Sequence, residues 1–427
     1  MEIWAIIGIV LIFVLLLSGA PLAIGFGFGS LIVVLMVMGM PLDGIASLVF
    51  NSINSFPLLA APFFILAGNL LLHSGGMPDV RDFMQSWLGQ MRGGLAAGAV
   101  IIGAFLGAVS GSSTACLAIM GAVILPIMVE AGYDRPFASG IVLNASELGW
   151  IIPPSLALII LGALTRISIP QLFLAGIGTG LLATVFMAIV ALLISRRRKY
   201  PPAAKVGWKT RGTSFVRALP LLFMPVIILG GIYSGLFSPT ESAAIACFYT
   251  VAIGLFFYRR LNWTGIKQAL LDTAKLSCMI YLLIVCADLF SKVLCYLMVP
   301  QTITEVVIGL RLEPLAFLLV VEGFLLVMGF FFSSIPMIIV ILPMFVPIAL
   351  RLGIDPVFYG ILAILVTAIG EITPPMGPQL WFAEPICKEK MGNIMRESWP
   401  FLGALTLAVL VTTFVPGIAM FLVELWR

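Results

Sequence analysis

Charge is scarce in this chain of 427 residues: 23 Lys and Arg and 19 Asp and Glu make up 10% of it, against 61% hydrophobic residues. Ordinary soluble domains carry about 25% charged residues, so a soluble globular chain is excluded. Histidine is almost missing as well. His73 alone leaves a His-based metal site or catalytic triad little to build with. No phosphate-binding Gly-Lys loop occurs, so the chain carries no visible ATPase of its own. The six cysteines (116, 247, 278, 286, 295 and 387) lack CxxC spacing and sit mostly in apolar stretches, as buried thiols rather than metal ligands or disulfides. Met1-Glu2-Ile3-Trp4 lacks the basic start of a signal peptide, so residues 3–18 are expected to be a retained first span. The net charge is only +4, and no nucleic-acid partner is expected.

What the chain does have is apolar length and internal repetition. Runs long enough to cross a hydrocarbon core of roughly 30 Å recur from end to end. Two stretches 221 positions apart share one spelling: Pro126, Gly132, Asp134, Phe137, Gly149, Ile151, Pro153, Pro154, then Pro347, Gly353, Asp355, Phe358, Gly370, Ile372, Pro374, Pro375. Ser112-Ser113 and Ser333-Ser334 match at the same offset. Chance apolar matches do not reproduce Gly, Pro and Asp punctuation, so the chain is a duplication.

Each half pairs two apolar segments around a serine-bearing tip with no charge to mark an exit into water. These are 94–109 and 112–130 around Ser110-Gly111-Ser112-Ser113, and 313–332 and 335–350 around Ser333-Ser334. Both are expected to be re-entrant helical hairpins. A Pro-Pro pair interrupts the long segment after each. Proline removes an N–H and pushes its predecessor out of the helical region, so 136–165 and 356–383 are expected to be broken helices. Unwound backbone at membrane depth persists only where protein buries it or it lines a polar cavity. The fold class is therefore an all-α polytopic membrane protein with two repeats, each holding a re-entrant hairpin and a Pro-Pro-broken helix.

Lys and Arg set the orientation. The basic run Arg196-Arg197-Arg198-Lys199 with Lys205, Lys209, Arg211 and Arg217 is placed in the cytoplasm. Threading outward puts 17 basic residues on that side and 4 (Arg166, Arg311, Arg351, Arg427) on the other, with Lys275 and Lys292 within a span. The split requires both hairpins to be re-entrant. They then enter from opposite sides, the repeats are inverted, and both termini are non-cytoplasmic. Residues 81–92, with Phe83, Met84, Trp87, Leu88 and Met91 on one face, and 302–312 are expected to be interfacial helices, plain loops being the alternative.

Broken helices expose N–H groups at half-helix N-termini and carbonyl oxygens at C-termini and unwound stretches. With Ser and Thr hydroxyls, such carbonyls suit Na⁺. The bland alternative is that the glycines allow close packing and the prolines merely kink.

The strings GSSTA (111–115), GYDRPFASG (132–140), IIPPS (151–155), SPTESAA (238–244) and ITPPMG (372–377) resemble the large membrane subunit of TRAP transporters, the DctM family, across essentially the whole chain. The resemblance implies Na⁺-coupled uptake of a small organic acid, without nucleotide, across the bacterial inner membrane by an elevator fold. It also implies a small membrane subunit of the DctQ type and a periplasmic substrate-binding protein of the DctP type. Carried over motif by motif, one Na⁺ site uses Ser110, Ser113, Gly149, Ile152 and Pro154, and the other Gly329, Gly370, Thr373 and Met376. The expected division is scaffold helices and first arm at 1–93, first half of the transport part at 94–195 and a basic cytoplasmic loop at 196–213. Scaffold and second arm follow at 214–312, then the second half of the transport part at 313–427.

One position departs from the family pattern. Glu371 stands where an apolar residue is usual, and Glu147 lies just before Gly149. Intramembrane carboxylates are costly and are functional candidates by default; sensing protons, binding a substrate hydroxyl and pairing with a cation all remain open. Ser112, Ser333 and Ser334 join them as substrate candidates. Asp288 is expected to pair with Lys292 at i+4, and Glu322 is a further intramembrane acid. An intramembrane hydrolase using Asp288, Glu322, Glu147 and Glu371 would lack any local motif, so no enzyme is expected. A self-sufficient sodium–carboxylate symporter is the closer alternative. No arginine precedes Arg81 or sits at either tip to mark a carboxylate clamp, so the sequence leaves carboxylate, sugar acid and sulfonate all open.

Overall fold

The computed structural model describes residues 22–88, 90–202, 206–299, 312–374 and 377–426, with isolated positions within 7–18 and 301–309. Among them every regular element is helical. That follows from an apolar chain whose backbone must satisfy its own hydrogen bonds away from water. The first half comprises α1 (Leu22–Met36), α2 (Leu42–Ile53), α3 (Ala60–His73), α4 (Met77–Leu88), α5 (Gly94–Ser110) and α6 (Ser113–Glu130). It continues with α7 (Arg135–Ser146), a single turn Leu148–Ile151, α8 (Leu156–Thr165) and α9 (Ile169–Arg197). The second half holds α10 (Trp208–Leu222), α11 (Met224–Tyr233), α12 (Pro239–Ala252), α13 (Trp263–Tyr296) and α14 (Pro314–Gly329). A turn Ser334–Pro336 and a π-helical stretch Met337–Ile341 lead into α15 (Leu342–Arg351), then α16 (Pro356–Glu371), α17 (Pro378–Cys387), α18 (Met391–Phe414) and α19 (Gly417–Trp426).

Among the described residues, eight helical segments are long and apolar enough to cross a membrane, and α10 with α11 makes a further pair bent by 43°. Half of the residues of the expected span 3–18 lie outside the described residues. Helix starts follow local chemistry. In the SPTESAA string, Ser238 and Glu241 close a capping box at the start of α12, the Glu241 carboxylate taking the Ser238 N–H at 2.7 Å.

Two packing groups meet. In one, α3 lies against α12 and α13, and α1 against α13. In the other, α7 packs on α6 and α18, α9 on α5, α18 and α19, and α14 on α16. The arms of the first hairpin, α5 and α6, pack on each other. Those of the second touch through Phe324 and Phe345, ring centroids 5.7 Å apart. The amphipathic stretch expected at 81–92 is α4, which starts earlier, at Met77, and is docked on α10. Ser86 and Ser214 hydroxyls lie 2.6 Å apart, and the Trp87 indole donates to the Arg211 carbonyl at 3.1 Å. Its counterpart at 302–312 lies largely outside the described residues.

One expected ion pair is replaced. Asp288 accepts from the Ser52 hydroxyl at 2.7 Å, and among the described residues Lys292 forms no ion pair with it. A hydroxyl on the adjacent α2 satisfies the carboxylate directly, while a long lysine stem is free to reach the membrane edge. A further intramembrane acid, Glu322, accepts from Thr413 at 2.7 Å and ties α14 to α18.

Candidate functional site

At the first tip, α5 ends on Gly111 in the left-handed region (φ 64°), its N–H closing on the Gly107 carbonyl at 2.7 Å. Ser112 is extended and α6 begins at Ser113. Facing it, the chain after α7 makes the single turn Leu148–Ile151, runs extended through Ile152 and the cis Pro153–Pro154 bond, and restarts as α8. Ser155 marks the restart: its hydroxyl donates to the Trp150 carbonyl at 2.6 Å and stands at the N-cap. Tip and break are laid backbone on backbone. The Leu156 N–H donates to the Gly111 carbonyl at 2.9 Å. A Cβ on Gly107 would stand 2.7 Å from the Gly149 Cα, a separation that only glycine permits. Ser110, Ser113, Gly149, Ile152 and Pro154 therefore lie along one seam, where Ser110 donates to the Ser112 carbonyl at 3.2 Å.

The second seam repeats the device. A Cβ on Gly329 would stand 2.7 Å from the Gly370 Cα. Beyond α16 the Thr373 N–H donates to the Gly370 carbonyl at 3.1 Å, and its hydroxyl to the Ile369 carbonyl at 2.6 Å. The hydroxyl oxygen keeps its acceptor capacity. Gly329, Gly370 and Thr373 are thus brought together; Met376 and Pro375 lie outside the described residues.

The two seams are also joined to each other. Trp150 and Glu371 hold the same place in the duplicated spelling, and the Trp150 indole donates to Glu371 Oε2 at 3.0 Å. The Ser334 hydroxyl donates to the same oxygen at 2.5 Å. Gln379, wholly buried on α17, donates to the Ser113 hydroxyl at 3.2 Å, while its carbonyl accepts from Thr114 at 3.4 Å.

Between this cluster and α3 and α13 lies a cavity of about 470 Å³. Its walls include Ser110, Ser112, Thr114 and Trp150 from the first half, and Ser333, Ile335 and Glu371 from the second. Asn69 and Asp272 line it from α3 and α13. Three of these pairs, Ser112 with Ser333, Thr114 with Ile335 and Trp150 with Glu371, are related by the 221-residue offset. Ser334 stands behind Glu371 rather than on the wall. Glu147 is elsewhere: it is wholly buried between α7 and the single turn, lines no part of this cavity, and among the described residues neither of its carboxyl oxygens has a hydrogen-bond partner. Sequence reasoning missed Trp150, Gln379, Asn69 and Asp272. The offset itself could have found Trp150, since it pairs that residue with the conspicuous Glu371.

In overall fold the chain is similar to the YdaH transporter of Alcanivorax borkumensis, with a TM-score of 0.64 at 16% identity over 88% of this chain and 89% of that one. The fold class is an all-helical polytopic membrane protein. Residues 9–418 match the family described as the tripartite ATP-independent periplasmic transporter, DctM component, and the chain belongs to that family. It is 36% identical to the C4-dicarboxylate TRAP transporter large permease protein DctM of Pseudomonas aeruginosa over 92% of each chain. It is 34% identical over 95% of its length to the isethionate TRAP transporter permease protein DctMQ of Oleidesulfovibrio alaskensis, a longer protein of which it spans 64%.

Proposed function

We propose that the chain is the large membrane subunit of a three-part uptake system in the inner membrane, carrying one small organic acid inward with Na⁺. The observation that carries this is the cavity walled by offset-related positions of both halves. A site built from both tips and both breaks, and closed on its far side by α3 and α13, is what a moving block needs to carry a solute past a static one. In this account 94–195 and 313–427 move, 1–93 and 214–312 stay, and the basic loop 196–213 is cytoplasmic, with both chain ends on the periplasmic face. A periplasmic binding protein delivers the acid, and a small membrane subunit braces the static block, as the tripartite name of the family suggests.

The residues fit Na⁺. Both seams gather hydroxyl and carbonyl oxygens, hard and neutral, beside backbone that is unwound within the protein. Ser110, Ser113, Gly149, Ile152 and Pro154 would hold one ion, and Gly329, Gly370 and Thr373 with Met376 the second. Bound there, Na⁺ supplies positive charge next to an anionic substrate. The Ser113–Gln379 and Trp150–Glu371 bonds fix the two seams against each other, so that filling one shapes the wall seen by the substrate.

The test is uptake into proteoliposomes holding the chain, its small subunit and the loaded binding protein. Transport is expected only when external Na⁺ exceeds internal. Undiminished uptake in Na⁺-free choline buffer, with or without a pH gradient, would remove sodium from the account. Uptake that needs no binding protein would favour the self-sufficient symporter.

A further inference from the structure

Glu371 is the unusual wall of the cavity. It is buried, and its Oε2 accepts from both Trp150 and Ser334, two donors on different elements that fix where the carboxylate stands. Among the described residues lining the cavity there is no Lys or Arg. The other lining acid, Asp272, has partners along its own helix: Lys275 at 3.9 Å and the Gln268 amide at 2.9 and 3.0 Å. Among the described residues no Lys or Arg pairs with Glu371. The remaining polar wall is hydroxyls (Ser110, Ser112, Thr114, Ser333) and the Asn69 amide, whose N–H₂ already donates to Thr273 at 3.0 Å.

From this geometry we propose that Glu371 is a specificity residue, and that the substrate carries a single anionic group at one end and an O–H or N–H donor at the other, received by the Glu371 carboxylate. The inference rests on the cavity being the substrate site. The single anion is met by Na⁺ and the Ser110 and Ser112 hydroxyls at the first tip. A second carboxylate would face Glu371 across a low-dielectric space with no lining Lys or Arg to offset it, and a Na⁺ held by Gly370 and Thr373 balances Glu371 alone, so dianions are refused. A donor is favoured for the converse reason: a site built to accept a hydrogen bond discriminates sharply against a ligand that cannot give one. A hydroxy acid and an amino acid satisfy the same chemistry, and the test separates them.

The full chain with its small subunit, in lipid nanodiscs saturated with Na⁺, is titrated with 3-hydroxypropanoate, β-alanine and succinate, binding being read calorimetrically. 3-Hydroxypropanoate or β-alanine should bind at least about ten-fold more tightly than succinate, the size expected for one hydrogen bond to a charged group; which of them binds decides between hydroxyl and ammonium. Glu371→Gln should erase that ratio, and Trp150→Phe, which removes one positioning donor and keeps the ring, should reduce it. Succinate binding as well as both donor ligands, no binding by any of the three, or a ratio unchanged in both variants would overturn the proposal. Na⁺-induced thermal stabilisation in the same samples keeps the readings apart. Its absence in the native chain counts against ion coupling, while the ligand ratio still judges Glu371; its retention in Glu371→Gln shows that the variant is folded.

Discussion

The two halves of the molecule share their punctuation and use it differently. At the first break Gly149 is followed by Trp150, a large donor; at the second Gly370 is followed by Glu371, an acceptor, and the two bond to each other. The aspartates diverge likewise. Asp355 caps α16 by accepting from the Val357 N–H at 2.8 Å, whereas its equivalent Asp134 makes no such cap and accepts from the Tyr200 hydroxyl at 2.6 Å. Burial, and then that bond to Asp134, push the Tyr200 hydroxyl up from its usual range. Duplication supplied a common skeleton of glycines and prolines, and side chains at matched positions then became complementary instead of identical. An asymmetric solute needs such a site, because a symmetric one would offer it the same group at both ends.

The sharpest way to break this comparison is to tie the halves down separately. A cysteine bridge joining α3 to the first hairpin should stop uptake completely, and one joining the two hairpins should leave it largely intact, measured with and without reductant. Equal loss from both would replace a travelling block by local gating of the tips.

Next in size is the glycine seam. Alanine at Gly370 would place its Cβ 2.8 Å from the Gly329 Cα, and at Gly149 3.1 Å from the Ser112 carbonyl. Overpacking of this kind costs about 1–3 kcal/mol, and Gly370→Ala should lower the melting temperature more than Gly149→Ala. The reverse order would mean that the second tip yields where the first does not.

The smallest effect expected is on the ions. Ser113→Ala and Thr373→Ala each delete one hydroxyl, worth about 1–2 kcal/mol by analogy with hydrogen bonds to charged groups. The Na⁺ half-saturation of uptake should rise several-fold in each, with little change in melting temperature for Thr373→Ala. Ser113→Ala also strands the buried Gln379 amide, so it should lower the melting temperature as well. Unchanged half-saturation in both would refute the assignment of these hydroxyls.

Much of the helical layout was legible because Gly and Pro act locally. Gly111 ends α5, Ser155 starts α8 after its Pro-Pro pair, and Ser238 starts α12, all through bonds within a few residues. What escaped depends on partners far away in sequence. Gln379 is an ordinary amide until α17 carries it against the first tip, 266 residues distant. Asp288 obeyed the i+4 rule on paper and took Ser52, 236 residues away, because α2 offered a closer donor. The start of α4 at Met77 was hidden because Pro78 and Asp79 look like turn residues, yet they are also good occupants of a first helical turn.

The glycine seams bear on the order in which the protein is made. Gly107 meets Gly149, and Gly329 meets Gly370, each across only about forty residues of chain. The Trp150–Glu371 bond spans 221. Chains emerge from the ribosome N-terminus first and fold unit by unit. The first tip can therefore lock onto its own break while the second half is still being synthesised, and Trp150 waits with its indole unclaimed until Glu371 arrives. The bond that shapes the solute's binding wall is thus among the last to form, and a chain truncated before α16 would keep its first seam while lacking a site.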